Sequence, residues 1–219
     1  CSLKVIHFIT AKISGYETCG SRSIGCTDAC LNEAGNPVFM PQKTLGRVNR
    51  THLLFKEEAK FISMITREIR NHEILCKKYD LKPVIRLNTT SDVMFERKKF
   101  SFMQNFPNVQ FYDYTKHFNR MIKYLKGELP SNYHLTFSRN EVNDFQATQV
   151  LKAGGNVAVV FRKELPETYK GFKVVSGDDH DLRFLDQKNV VVGLKEKLSL
   201  NKATGKLDRD TSGFVIDLK

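Results

Sequence analysis

Short apolar runs that alternate with helix-patterned stretches constrain this chain more than any other feature. The runs are Leu3–Thr10, Val84–Asn88, Val109–Tyr114, His134–Ser138, Val157–Arg162 and Val190–Leu194. Each is rich in β-branched or aromatic residues and bounded by Pro, Gly, Asn or Ser. Between the first two, Phe55, Ala59, Ile62, Ile65, Ile69 and Cys76 keep helical spacing, with Glu57, Glu58, Lys60, Arg67 and Arg70 on the opposite face. Weaker helical patterns cover Phe95–Phe106, ending at Pro107, and Glu141–Ala153, ending at Gly154-Gly155. Strands alternating with helices predict an α/β fold. At 219 residues the chain is short for an eightfold barrel, so the expectation is a partial (β/α) barrel or a curved, mostly parallel sheet. With no internal repeat or low-complexity linker, it reads as a single α/β domain over 1–219. A Cys-rich loop at 15–36 follows the first strand, and 201–210 reads as an exposed turn before a final strand at Phe214–Leu218.

In parallel α/β folds the working residues gather at the carboxyl ends of the strands. Those ends are polar here. The second strand runs V-I-R-L-N-T-T-S-D and carries Arg86, Asn88, Ser91 and Asp92. The third runs V-Q-F-Y-D-Y-T-K-H, with Asp113, Lys116 and His117, and the fourth runs Y-H-L-T-F-S-R-N-E, with Thr136, Ser138, Arg139 and Glu141. A strand buried on both faces reads as nearly continuous apolar residues, so this alternation predicts polar groups lining a mouth. Asp92, Asp113, Lys116 and Glu141 are the expected catalytic groups. Arg86, Asn88, Ser91, Thr136, Ser138 and Arg139 are the expected substrate-binding groups. In S-G-D-D-H-D-L-R-F-L-D, Asp178 and Asp179 read as a turn, and Asp181 and Arg183 as further candidates.

Cys19, Cys26 and Cys30 fall within T-C-G-S-R-S-I-G-C-T-D-A-C-L, directly after the first strand. Three thiolates facing one point would suit a metal or iron–sulfur centre with one coordination position open. Five cysteines, three of them bunched, do not look like a disulfide framework, and Cys76 reads as a buried hydrophobe on its helix. A reducing, cytoplasmic setting is expected. Four-ligand zinc would need Cys1, Cys76 or His117 to complete the set.

The formal net charge of +11 favours a polyanionic partner, nucleic acid first and DNA above RNA. No apolar stretch is long enough for a membrane helix, so no membrane partner is expected. Walker A, dinucleotide-binding Gly and H-E-x-x-H motifs are all missing. Tyr112-x-x-x-Lys116 has the spacing of a nicking tyrosine with a helper lysine, although the six histidines offer no His-hydrophobe-His pair.

Taken in order, the blocks R-L-N-T-T-S-D, N-V-Q-F-Y-D-Y-T-K, N-Y-H-L-T-F-S, N-V-A-V-V-F, D-L-R-F-L-D and D-T-S-G-F-V resemble a family of phage and plasmid proteins with the same three-Cys loop. Some of its members are labelled rolling-circle replication initiators. More distantly the chain is similar to radical S-adenosylmethionine partial barrels. That similarity implies Cys19, Cys26 and Cys30 as ligands of a [4Fe–4S] cluster, with 88–92 facing S-adenosylmethionine. A third similarity, to base-exchanging transglycosylases, implies Asp92 or Asp113 as nucleophile or base and zinc in the Cys loop.

The expectation is therefore a phage or mobile-element protein acting on nucleic acid or a nucleotide, including DNA modification, with a three-Cys metal centre at the barrel mouth. Three rivals remain open: a replication initiator nicking DNA through Tyr112, a transglycosylase-like enzyme, and a non-catalytic nucleic-acid-binding module with structural zinc.

Overall fold

The computed structural model describes residues 1–30, 41–97, 102–200 and 207–218. Its strands are mostly parallel and flanked by helices, in the hydrogen-bonded order β1-β2-β3-β4-β5-β8-β7-β6 with β11 on β5, so the sheet stays open. They are β1 (Ser2–Val5), β2 (Pro83–Arg86), β3 (Gln110–Thr115), β4 (Tyr133–Ser138), β5 (Val157–Phe161), β6 (Thr168–Tyr169), β7 (Phe172–Ser176), β8 (Val191–Lys195) and β11 (Val215–Ile216). A separate antiparallel pair joins β9 (Ser199–Leu200) to β10 (Leu207–Asp208). The helices are α1 (Ala11–Ser14), α2 (Ile24–Asp28), α3 (Pro41–Lys56), α4 (Glu58–Lys78), α5 (Phe118–Leu125) and α6 (Asp144–Lys152). The α/β expectation with a curved, mostly parallel sheet holds in its open-sheet form. By contacts the chain divides into two compact units: Cys1–Gly20, Phe39–Asp113 and Gly127–His134 in one, Ser21–Val38, Tyr114–Lys126 and Leu135–Lys219 in the other.

In the first unit β1 pairs with β2 in parallel, Leu3 opposite Val84 and Val5 opposite Arg86. The chain between them ends in the helical pair α3–α4. The periodicity spanning Phe55 to Cys76 predicts one helix there, but the backbone breaks at Glu57, whose φ of −132° and ψ of 56° are not helical. The apolar stripe of α4 (Phe61, Ile62, Ile65, Ile69, Cys76) is buried, with Glu58 in its first turn and Lys77 and Lys78 in its last, where they complement the helix dipole. Each fully buried Leu, Ile or Phe on this face contributes roughly 1.5–3 kcal/mol. The rings of Phe61, Phe8, Phe95, Phe102 and Phe111 follow one another at centroid separations of 5.8–6.2 Å. Phe95 and Phe102 belong to two short 3-10 turns, Phe95–Arg97 and Phe102–Asn105, where the sequence predicts a helix; residues 98–101 of that stretch lie outside the described residues.

In the second unit β5 is the central strand. Its residues Val157, Ala158, Val159 and Phe161 are buried. One edge pairs with β8 along its whole length. The other edge is shared: Phe137 and Ser138 of β4 pair with Val157 and Ala158, and Val215 and Ile216 of β11 with Val160 and Phe161. The β6–β7 hairpin, unforeseen from the sequence, turns on Lys170 and Gly171 at φ 52° and 83°. That pair of positive values is what a two-residue hairpin turn of the right twist requires. α6 starts at Asp144, three residues later than its sequence pattern predicts. Asn140 Oδ1 accepts from the amides of Val142 and Asn143, so the backbone turns before it coils.

Candidate functional site

The strand ends of the first unit are built around Asp113. Its side chain is fully buried, and its carboxylate accepts from the Asn88 amide at 2.7 Å, Asn88 Nδ2 at 3.0 Å and the Tyr133 hydroxyl at 2.7 Å. Asn88 in turn accepts from the Ser91 hydroxyl at 2.7 Å and the Val93 amide at 2.8 Å through Oδ1, and donates to the Val93 carbonyl. A buried carboxylate needs such donors, and these three help to hold its charge. Asp113, Asn88 and Ser91 lie together in a brace that shapes the loop after β2. Sealed from solvent, Asp113 has no open face for a substrate.

Against this loop sits the start of the Cys segment. The Asp92 amide donates to the Thr18 carbonyl at 2.7 Å, Thr18 Oγ1 donates to the Ile9 carbonyl, and the Cys19 thiol lies 3.8 Å from the Thr90 carbonyl. The Asp92 side chain is nearly buried. Tyr112 is fully buried with the Arg86 guanidinium 5.8 Å from its ring centroid, so its hydroxyl is in no position to attack a phosphodiester. The nicking expectation is corrected on that ground.

The second unit gathers Lys116, Ser138 and Glu141. Lys116 Nζ donates to Ser138 Oγ at 2.9 Å, both side chains half-buried, and the ammonium lies 6.0 Å from the Phe214 ring centroid. Glu141 clamps the later part of the Cys segment: its carboxylate accepts from the Ser23 hydroxyl at 2.7 Å and the Gly25 amide at 2.8 Å. Ser23 caps α2 by accepting from the Cys26 amide, and Ser21 Oγ pairs with His117 Nδ1 at 2.7 Å. Thr136, expected to bind substrate, is wholly buried in β4 instead. Arg139 is buried too, donating to the carbonyls of Gly213 (2.6 Å) and Phe214 (3.0 Å) and pairing with Asp144 at 3.1 Å. Burial alone would raise Asp144, but its hydrogen bonds from Lys170 and Arg139 hold it below the usual carboxylate range. Of the G-D-D-H-D segment, Arg183 is fully buried beside Asp186, at 3.4 Å. Burial pushes the Asp186 carboxyl up, offset in part by Arg183 and His180.

The expected metal centre needs three thiolates at one point. Among the described residues no three His, Cys, Asp or Glu side chains are placed to hold a metal ion. Cys26 lies on α2 and Cys30 just after it, and none of the three thiols is in a disulfide. Residues 31–36 of the expected Cys-rich loop lie outside the described residues.

The sequence reading missed a basic group. Burial of His7, just after β1, and then the positive charges of Arg47, Arg50, Arg86 and Lys43 lower its pKa to about 4. The signal was present as Lys43, Arg47 and Arg50 at helical spacing. It escaped because the charge was counted over the chain rather than placed on a face.

Among the described residues no helix is long and apolar enough to cross a membrane. No curated protein and no solved structure matches the chain. A family model does match, over residues 3–218, and so takes in the Cys segment, every polar strand end and the β11 block together: the chain belongs to the phage family Gene product 88.

Proposed function

We propose that this phage protein acts on nucleic acid, DNA in the first place, or on a nucleotide, through the Lys116–Ser138 pair of the second unit. The observation that carries this reading is the 2.9 Å contact between Lys116 Nζ and Ser138 Oγ at a half-buried strand end. An ammonium and a hydroxyl so paired are two donors for one phosphate group, and the hydroxyl is at the same time a nucleophile with a nitrogen beside it. Glu141 has a positioning role: it fixes the Ser23–Cys26 segment next to the pair. Asp113, Asn88 and Ser91 keep the first unit's loop in shape.

The test is conversion of single- and double-stranded DNA, RNA and free nucleotides by the purified chain, read by denaturing gel and by mass spectrometry of the digested nucleosides. Lys116→Ala and Ser138→Ala are each expected to lower turnover about a hundredfold or more, the usual size of losing one positioned donor or base, with an unchanged melting temperature. Conversion that survives both substitutions, or no conversion of any of these substrates, would overturn the reading.

A further inference from the structure

We propose that the face of α3 carrying Lys43, Arg47 and Arg50, with His7 and Arg86 beside it, is a phosphate-binding site that takes the backbone of a nucleic acid strand. Residues 43, 47 and 50 are spaced by four and three, which brings their side chains to one face of the helix. That face is pinned to the end of β1: Arg50 Nη1 donates to the His7 carbonyl at 2.6 Å, and the Ile9 amide donates to Thr51 Oγ1 at 3.2 Å. Arg86 joins from the neighbouring strand, where the Ile6 amide donates to its carbonyl at 2.9 Å.

The electrostatics point the same way. His7 lies among four cations, and Arg50 is lowered from its ordinary value by burial and by Arg47. Crowding partly desolvated guanidinium groups costs free energy that a phosphate anion offsets. Guanidinium forks also match phosphate geometry with two parallel hydrogen bonds, which an isolated ammonium cannot do. Lys43 is exposed and Arg47 half-buried, so the outer half of the face is open to a ligand. The residues of this face belong to the first unit, and only the choice of a polynucleotide as phosphate source rests on the reading above.

Fluorescence anisotropy of labelled dT20 with the full chain, across 50–200 mM NaCl, tests the proposal. Lys43→Gln/Arg47→Gln is expected to weaken binding about tenfold and to lower the slope of log K against log salt by about 1.4, two single-strand phosphate contacts. Lys77→Gln/Lys78→Gln removes the same charge from the end of α4 and is expected to leave both readouts within about twofold of wild type. If the first variant does not fold, Lys43→Gln alone still has to lower the slope by about 0.7. Equal losses in both double variants, or none in either, would overturn the site. NMR of the His7 ring with inorganic phosphate and with AMP separates the sources. A shift that Lys43→Gln/Arg47→Gln abolishes, without dT20 binding, keeps the phosphate site and removes the polynucleotide. No shift and no dT20 binding removes both.

Discussion

At the scale of single residues, His7 makes the most direct prediction. Burial and the cations around it hold its pKa near 4. Its Nδ1 is buried without a hydrogen-bond partner, so protonation has nothing nearby to repay it. Because the folded value lies below the unfolded value near 6.5, the unfolded chain binds more protons between the two. Stability is therefore full above about pH 6.5 and falls as the pH drops toward 4. Discounted for the ring's partial exposure, the loss is about 1–2 kcal/mol. Denaturant melts of wild type and His7→Asn between pH 7 and 4 check this: the variant should lose less stability on acidification, and parallel curves would refute the assignment. Asp113 marks the limit of sequence reading at this scale. Its position at a strand end is visible in F-Y-D-Y-T, but whether such a carboxylate meets a substrate or a brace depends on Asn88 and Tyr133, which lie 25 and 20 residues away along the chain.

At the scale of elements, most strands were legible because each is a short apolar run between turn residues. β1 closes at Val5 rather than Thr10, since the Ile9 amide donates to the Thr51 hydroxyl while the Ile9 and Phe8 carbonyls accept from the Thr18 and Thr90 hydroxyls, outside the ladder. The helix α5 was missed although Phe118, Met121, Ile122 and Leu125 keep its spacing; eight residues made too short a pattern beside the polar strand end that precedes it. The Cys segment was legible as a loop at the strand ends, but not in how α2 is seated. A Cβ built on Gly25 would stand 1.9 Å from Ser212 Oγ and 2.8 Å from Phe214 Cβ. Neither atom is the tip of a long side chain, so α2 itself must move. Ala gains up to about 1 kcal/mol in helix propensity, and overpacking costs about 1–3 kcal/mol. Gly25→Ala is thus expected to destabilise by roughly 1–2 kcal/mol net. It should also speed alkylation of Cys26 and Cys30 under native conditions. Ser212→Gly in the same chain should restore part of the loss, because it removes the closer atom; two strictly additive losses would mean the contact is not the cause.

For the whole molecule, the sequence predicts an α/β fold with a parallel sheet, and what it could not supply was the order of the strands. That order follows from long-range pairing: β8 reaches β5 past a hairpin, and β11 returns from the end of the chain to take the half of the β5 edge that β4 leaves open. No local pattern encodes it, since each of these runs would suit several neighbours. The order has a measurable consequence. β5 has three partner strands and four buried residues, and Val191 and Val192 of β8 are fully buried between β5 and β7. Among the described residues β1 ends the order with a single partner strand, and its residues from Leu3 to Val5 are exposed one after another. Opening a strand locally costs its hydrogen bonds and the apolar surface it buries, so exchange protection should follow pairing and burial rather than strand length. Native-state amide exchange is expected to leave Val157–Phe161 and Val191–Gly193 among the slowest amides, approaching the free energy of global unfolding. The amides of Leu3 to Val5 should exchange through small openings, orders of magnitude faster. Protection of β1 equal to that of β5 would show that another surface covers the β1 edge.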